Sequence, residues 1–168
     1  MAVRFRDEFD NSTVSYNTFW VNSADGGFGA FNITAGNVDK HQPRNNIFDH
    51  NLIRADNDSA MYLQVSGSNN EFSYNTVWSN DDYAGNTVGD GPNGNTFNHN
   101  TFYNGGTGRN IYFTYRNAGT DSWTNNIFSY AGPETFWFDG WSWTAYSGNR
   151  NIFMPEAAVR LLLRMAAV

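Results

Sequence analysis

Two aspartates of this chain sit at one offset from a repeated asparagine: Asp58 follows Asn51 by 58 − 51 = 7 residues, and Asp82 follows Asn75 by 82 − 75 = 7. If the chain stacks so that the two asparagines lie one above the other, the carboxylates fall about 5 Å apart, the spacing of neighbouring β-strands. Such a pair could serve as acid and nucleophile in retaining hydrolysis of a glycosidic bond, mutual repulsion raising one pKa so that this group stays protonated. Asp56, Asp58, Asp81 and Asp82 could instead combine with loop carbonyls as oxygen ligands for Ca²⁺. A third reading is a solvated Asx-rich loop that only turns the chain.

A second constellation is aromatic. Tyr62 and Gln64, then Tyr112, Thr114 and Arg116, then Trp137 and Asp139 alternate with apolar residues in three short segments. Aromatic faces beside hydrogen-bonding groups suit sugar rings, whose axial C–H bonds pack on the ring while the hydroxyls find polar partners. The densest patch is Phe136-Trp137-Phe138-Asp139-Gly140-Trp141-Ser142-Trp143, in which Trp141 and Trp143 share a face and a bend at Gly140 is needed if Phe136 and Phe138 are core. Interior packing is the competing reading for each Trp. Asp139 joins Asp58 and Asp82 as an acid/base candidate.

The elements that would position these groups follow from a repeat. Asn46-Ile47-Phe48-Asp49-His50-Asn51, Asn70-Glu71-Phe72-Ser73-Tyr74-Asn75 and Asn95-Thr96-Phe97-Asn98-His99-Asn100 are copies of one motif, with a weaker copy at Val14-Ser15-Tyr16-Asn17-Thr18-Phe19. The phenylalanine steps are 72 − 48 = 24 and 97 − 72 = 25, and Phe128 to Phe153 is again 25. The longer steps, 48 − 14 = 34 and 128 − 97 = 31, suggest coils with inserted loops. Self-similarity at this period marks a repeat architecture. Its segments are short, aromatic or β-branched, and broken by Gly, Asn, Ser and Asp, as in Met61-Tyr62-Leu63-Gln64-Val65 and Ile111-Tyr112-Phe113-Thr114-Tyr115, so they are strands and not helices.

In a stack of such coils equivalent residues lie above one another. Phe48, Phe72, Phe97 and Phe128 are expected to form an internal aromatic column. Asn17, Asn51, Asn75 and Asn100 are expected to form an amide column at a bend, where Asn tolerates the left-handed conformation. A glycan- or ice-binding face is the competing reading of the asparagines, and their place at every well-formed bend favours the structural one. His50 and His99 share a repeat position with Tyr16 and Tyr74, which suggests a role in the stack, and the three histidines of the chain give no metal-ligand spacing.

On these phenylalanine and asparagine repeats, over roughly residues 9 to 153, the chain resembles the right-handed parallel β-helix proteins of the pectate-lyase-like class. The resemblance implies an all-β, single-stranded solenoid of about six coils, and a secreted or extracellular setting. Its members include polysaccharide lyases, glycoside hydrolases, epimerases, tailspikes and proteins without known chemistry, so fold alone does not choose an activity. β-Elimination on a uronate would require a base, often Lys or Arg in this class, with cations or Ca²⁺ for the substrate carboxylate. Lys40, His41 and Arg44 cluster in one inserted loop, where a solvated role competes, and Arg116 lies on the aromatic segment. The sparse basic complement and acidic, aromatic strands favour a neutral polysaccharide and hydrolysis.

Composition bounds the rest. The 168 residues fit one domain, and cysteine is absent, which excludes disulfides and thiolate metal sites. A net charge of −6 with a single lysine argues against nucleic acid. No apolar run approaches a membrane span, and residues 1 to 7 lack the apolar stretch of a signal peptide. The chain enters repeat sequence almost at once, so an uncapped N-terminal coil could mediate self-association. Residues 154–168 change abruptly to helix formers, with Pro155 and Glu156 in the first turn, and are expected to be a C-terminal capping helix that lays Val159, Leu162, Leu163 and Ala166 on the last coil. A membrane-surface helix is the weaker alternative, because its polar face would hold only Arg160 and Arg164. The sequence thus divides into a β-helix over 1–153 and a helical tail. The expected activity is carbohydrate-directed: a glycoside hydrolase, with a Ca²⁺-dependent lyase or a non-catalytic binding solenoid as alternatives. No cofactor is required unless Ca²⁺ binds, and the expected partner is a polysaccharide or oligosaccharide, not a membrane.

Overall fold

The computed structural model describes residues 2–6, 9–22, 30–34, 43–56, 61–64, 68–80, 83–89, 94–106, 109–115, 121–130, 136–138 and 146–155. The expected capping helix, apart from Met154 and Pro155, lies outside them. The described strands are, in order, β1 Val3–Arg6, β2 Thr13–Ser15, β3 Thr18–Val21, β4 Phe31–Thr34, β5 Ile47–Asp49, β6 Leu52–Ala55, β7 Met61–Gln64, β8 Glu71–Ser73 and β9 Thr76–Ser79. They continue as β10 Tyr83–Gly89, β11 Thr96–Asn98, β12 Thr101–Asn104, β13 Arg109–Tyr115, β14 Asp121–Thr124, β15 Ile127–Tyr130, β16 Phe136–Phe138, β17 Tyr146–Asn149 and β18 Ile152–Pro155.

Every third strand pairs with the next in parallel, and three six-stranded sheets result. Their orders are β1-β4-β7-β10-β13-β16, β2-β5-β8-β11-β14-β17 and β3-β6-β9-β12-β15-β18. This is an all-β parallel solenoid. The second-sheet register aligns Val14, Phe48, Phe72, Phe97 and Trp123, and the third aligns Phe19, Ile53, Val77, Phe102, Phe128 and Phe153. Both rows point inward: Phe48, Ile53, Phe97, Trp123 and Phe128 are fully buried. Ring centroids step by 5.0 Å from Phe48 to Phe72, 4.7 Å to Phe97 and 3.8 Å to Trp123, with planes within 12° of parallel.

One column differs from the expectation. Phe128 belongs to the third-sheet row, stacked on Phe102 at 5.2 Å, and Trp123 takes the place assigned to it beside Phe97. The true step is 123 − 97 = 26, so the inferred 31-residue coil disappears. The fifth motif copy is Asp121-Ser122-Trp123-Thr124-Asn125-Asn126, whose Asp-for-Asn and Trp-for-Phe exchanges conceal it in the sequence.

The bends hold two amide ladders. In the bend between second and third sheets, the side chains of Asn17, Asn51, Asn75, Asn100 and Asn126 each donate Nδ2–H to Oδ1 of the next asparagine, ending at Asn151, over 3.0–3.2 Å. The same Oδ1 atoms accept a backbone N–H from the preceding coil, and each Nδ2 from Asn51 onward also reaches a carbonyl there, as Asn75 does to Phe48 at 2.8 Å. A second ladder runs through Asn46, Asn70 and Asn95 to Asp121 at the bend leading into the second sheet. Buried polar groups require partners, and these amides supply them to backbone that no sheet pairs.

The left-handed residue is not the ladder asparagine. It is the residue before it: Tyr16, His50, Tyr74, His99, Asn125 and Arg150 have φ of 52–59° in one bend, and Asn11, Asn45 and Asn69 behave likewise in the other. The ladder amide must aim along the stack, so the turn is made one position earlier.

Candidate functional site

Part of the aromatic constellation expected from the sequence falls on the first sheet as a register row. Tyr62 pairs with Asn32 on one side and Asn86 on the other, Asn86 with Tyr112, and Tyr112 with Trp137, so three of the aromatic candidates occupy equivalent positions in one sheet. Gln64 lies two positions on, between Thr34 and Val88. Asn32 is fully buried between the core residues Phe31 and Ile33; Arg4 donates Nε–H to its Oδ1 at 3.4 Å, while its Nδ2 has no hydrogen-bond partner among the described residues. Arg116, Asp139, Trp141 and Trp143 lie outside the described residues, as do Asp58, Asp81 and Asp82 of the carboxylate candidates. Lys40 and His41 of the basic loop do too, whereas Arg44 is ion-paired to Asp10 at 3.2 Å.

Asp56 is described, and its two oxygens are engaged. Oδ1 accepts from Arg54 Nε at 2.8 Å and Oδ2 from Trp20 Nε1 at 2.7 Å. Arg54's hydrogen bond, and then Trp20's, hold this carboxyl below the ordinary carboxylate range against the opposing effect of burial. Among the described residues no three His, Asp or Glu side chains converge as a metal would require.

Asp56 leads to a surface that sequence reasoning missed. Trp20, Arg54, Trp78, Tyr103, Ser129 and Met154 form one register row on β3, β6, β9, β12, β15 and β18. Strand alternation turns this row away from the buried Ile53, Val77 and Phe102 that precede it and the buried Ala55, Ser79 and Asn104 that follow it. Arg54 lies between two indoles, 5.4 Å from the Trp20 ring centre and 4.5 Å from that of Trp78, and Tyr103 stacks on Trp78 at 6.1 Å. A signal for it existed: each member follows its ladder asparagine by three residues, as 20 − 17, 54 − 51, 78 − 75 and 103 − 100.

A further row runs along the neighbouring bend. Tyr16, His50, Tyr74 and His99 stack with centroids 4.8, 5.0 and 4.9 Å apart, which bears out the stacking role expected of the histidines, yet the rings are exposed. Asp49 faces His50 Nδ1 at 2.8 Å and accepts a hydrogen bond from Ser15; the Ser15 bond first, then His50, keeps this carboxyl low.

Comparison with known proteins returned no match to a family model, to a curated protein or to a solved structure. The reading of function therefore rests on the solenoid and its surface residues.

Proposed function

We propose that the chain is a carbohydrate-active parallel β-solenoid, of the pectate-lyase-like kind, that hydrolyses a polysaccharide. Asp58, Asp82 and Asp139 are the acid/base candidates, and Tyr62, Gln64, Tyr112, Arg116, Trp137, Trp141 and Trp143 the substrate contacts. The observation that supports this reading is the first-sheet row in which Tyr62, Asn86, Tyr112 and Trp137 are in register. Aromatic and amide groups repeated at the coil spacing match a ligand that itself repeats, which is what a polysaccharide is.

In the proposed reaction one carboxyl protonates the leaving glycosidic oxygen while the other carboxylate attacks the anomeric carbon and the C–O bond breaks. Water then displaces the enzyme carboxylate, giving its proton to the first group, which regains its acid form. The test is product analysis on neutral glucans, xylans and uronate polymers, with and without Ca²⁺. New reducing ends without an unsaturated ultraviolet chromophore, lost in Asp58→Asn or Asp82→Asn, support hydrolysis. A Ca²⁺-dependent chromophore replaces it with elimination, and retention on polysaccharide without any product leaves a binding solenoid.

A further inference from the structure

We infer that the chain stacks on a second copy of itself, head to tail, with the N-terminal coil of one molecule seated on the C-terminal coil of the next. The inference is independent of the carbohydrate reading and uses none of its candidate residues.

Ring faces carry the argument. Tyr16 is 77% exposed, and His50 covers the face of its ring that looks toward the later coils, at 4.8 Å and 18°. Trp20 is 58% exposed, and Arg54 of that same next coil lies over its ring at 5.4 Å. The opposite faces of both rings therefore look along the axis, out of the N-terminal end. In the inward rows, Val14 and Phe19 are half-buried, although Phe48 and Ile53, one coil further on, are fully enclosed. Asn17 ends the amide ladder on this side. Its Nδ2 donates to Ser15 O and Asn51 Oδ1, while its Oδ1 accepts nothing among the described residues. One coil further on, Asn51 Oδ1 accepts both the N–H and the Nδ2–H of Asn17, the coil before it. Axial ring faces, half-covered apolar side chains and an amide acceptor, each in its own register row, are what another coil of this repeat covers.

The last coil matches these rows in turn. The register that runs through the sheets puts Arg150 in the row of Tyr16, Phe153 in that of Phe19 and Met154 in that of Trp20. Arg150 is exposed, Phe153 is 46% exposed, and Phe153 stacks on Phe128 at 5.3 Å and 14°. Docked one coil spacing away, about 4.8 Å, Arg150 lies over Tyr16 as a cation on an aromatic face. Phe153 carries its stack onto Phe19, and the Met154 sulfur meets the Trp20 ring. The strands agree with this: β1, β2 and β3 close the three sheets at one end and β16, β17 and β18 at the other, so docking extends every sheet in the parallel sense it already has. Pro155 withholds one N–H from the junction. Two N-terminal coils set face to face would pair their strands antiparallel and lose all of these rows. A head-to-tail contact is heterologous and leaves a free end on each side, so association continues past the dimer. The capping helix expected from the sequence is the competing occupant of the last coil.

The experiment is sedimentation velocity of the intact chain across a concentration series. The parent should grow with concentration past the dimer. Tyr16→Asn with Trp20→Ala strips the rings from the N-terminal face, and Arg150→Asn with Met154→Asp removes the cation and sets a carboxylate against the Trp20 ring. Each double variant alone should associate at least about tenfold more weakly, as expected for loss of one aromatic contact. An equimolar mixture of the two should form a 1:1 pair and nothing larger, because one intact N-terminal face and one intact C-terminal face remain. A parent that is monomeric at every concentration overturns the inference and leaves the last coil to the helix. A dimer that the N-terminal variant abolishes and the C-terminal variant does not also overturns it, in favour of face-to-face pairing. Should a double variant lose its circular-dichroism signature, Tyr16→Asn and Arg150→Asn decide the matter, since both place asparagine at a left-handed position it tolerates. Each of these single variants should weaken the association, and growth equal to the parent's in both contradicts the stacking.

Discussion

Asn75 shows what a single ladder amide does. It is buried, its Oδ1 accepts from the backbone and side-chain nitrogens of Asn51 at 2.9 and 3.1 Å, and its Nδ2 donates to Phe48 O and Asn100 Oδ1 at 2.8 and 3.0 Å. Truncation orphans groups on both neighbouring coils, each costing about 1–3 kcal/mol when buried. Asn75→Ala should therefore lose at least about 3 kcal/mol, read from urea midpoints; a loss below about 1 kcal/mol would show the ladder to be dispensable. Asp56 yields a pH prediction. Its folded pKa lies below its unfolded value, so the stabilisation it lends to the Trp20–Arg54 arrangement is complete above the unfolded pKa and lost as pH falls through the folded one. Indole fluorescence should hold steady from about pH 7 to about pH 4.5 and change only below the ordinary carboxylate range near 3.9. A change centred near pH 6 would contradict this assignment. At this scale the asparagine column was legible because one residue type recurs at one place. The left-handed position was not, because Tyr, His, Asn and Arg all occupy it and nothing in their chemistry announces the turn.

Each strand is three to seven residues long and gains its stability from the strands above and below it. Phe97, enclosed between Phe72 and Trp123, should cost about 3–5 kcal/mol on replacement by Ala. Phe153 stacks on Phe128 on one side and is 46% exposed, so Phe153→Ala should cost less than half as much. Thermal midpoints of the two variants test this, and equal losses would contradict it. The bends offer a gain. Arg150 is exposed with φ of 55°, a region that Arg disfavours and Asn tolerates, and Asn125 already fills that position one coil earlier. Arg150→Asn should raise stability by up to about 1 kcal/mol, whereas Tyr74→Asn, with φ of 55° but stacked between His50 and His99, should not. Strand order and pairing were readable from the period because a parallel stack repeats its inward residue at every coil. Trp123 escaped notice because Trp-for-Phe and Asp-for-Asn exchanges break the motif there, although the flat indole stacks on Phe97 as a phenyl ring would. The Trp20 row escaped it because Arg54 interrupts the aromatics, and only the cation–π geometry shows that it continues them.

At the scale of the molecule, three parallel sheets around one aromatic core make a rigid scaffold, and rigid scaffolds carry function on what they expose. Two register rows run along the axis: a first-sheet row containing Tyr62, Tyr112 and Trp137, and a third-sheet row whose first members, Trp20 and Arg54, are exposed. Both repeat at the coil spacing, and the described part of the second is charge-balanced. The account predicts an extended, uncharged polymer as ligand and predicts that affinity grows with its length until the stacked coils are filled. The most direct test is affinity electrophoresis of the intact chain through gels cast with neutral β-glucan, xylan or polygalacturonate. Retardation on a neutral polysaccharide, relieved by its longer oligosaccharides and weak on polygalacturonate, is the predicted result; unretarded migration through every polysaccharide gel would contradict the account.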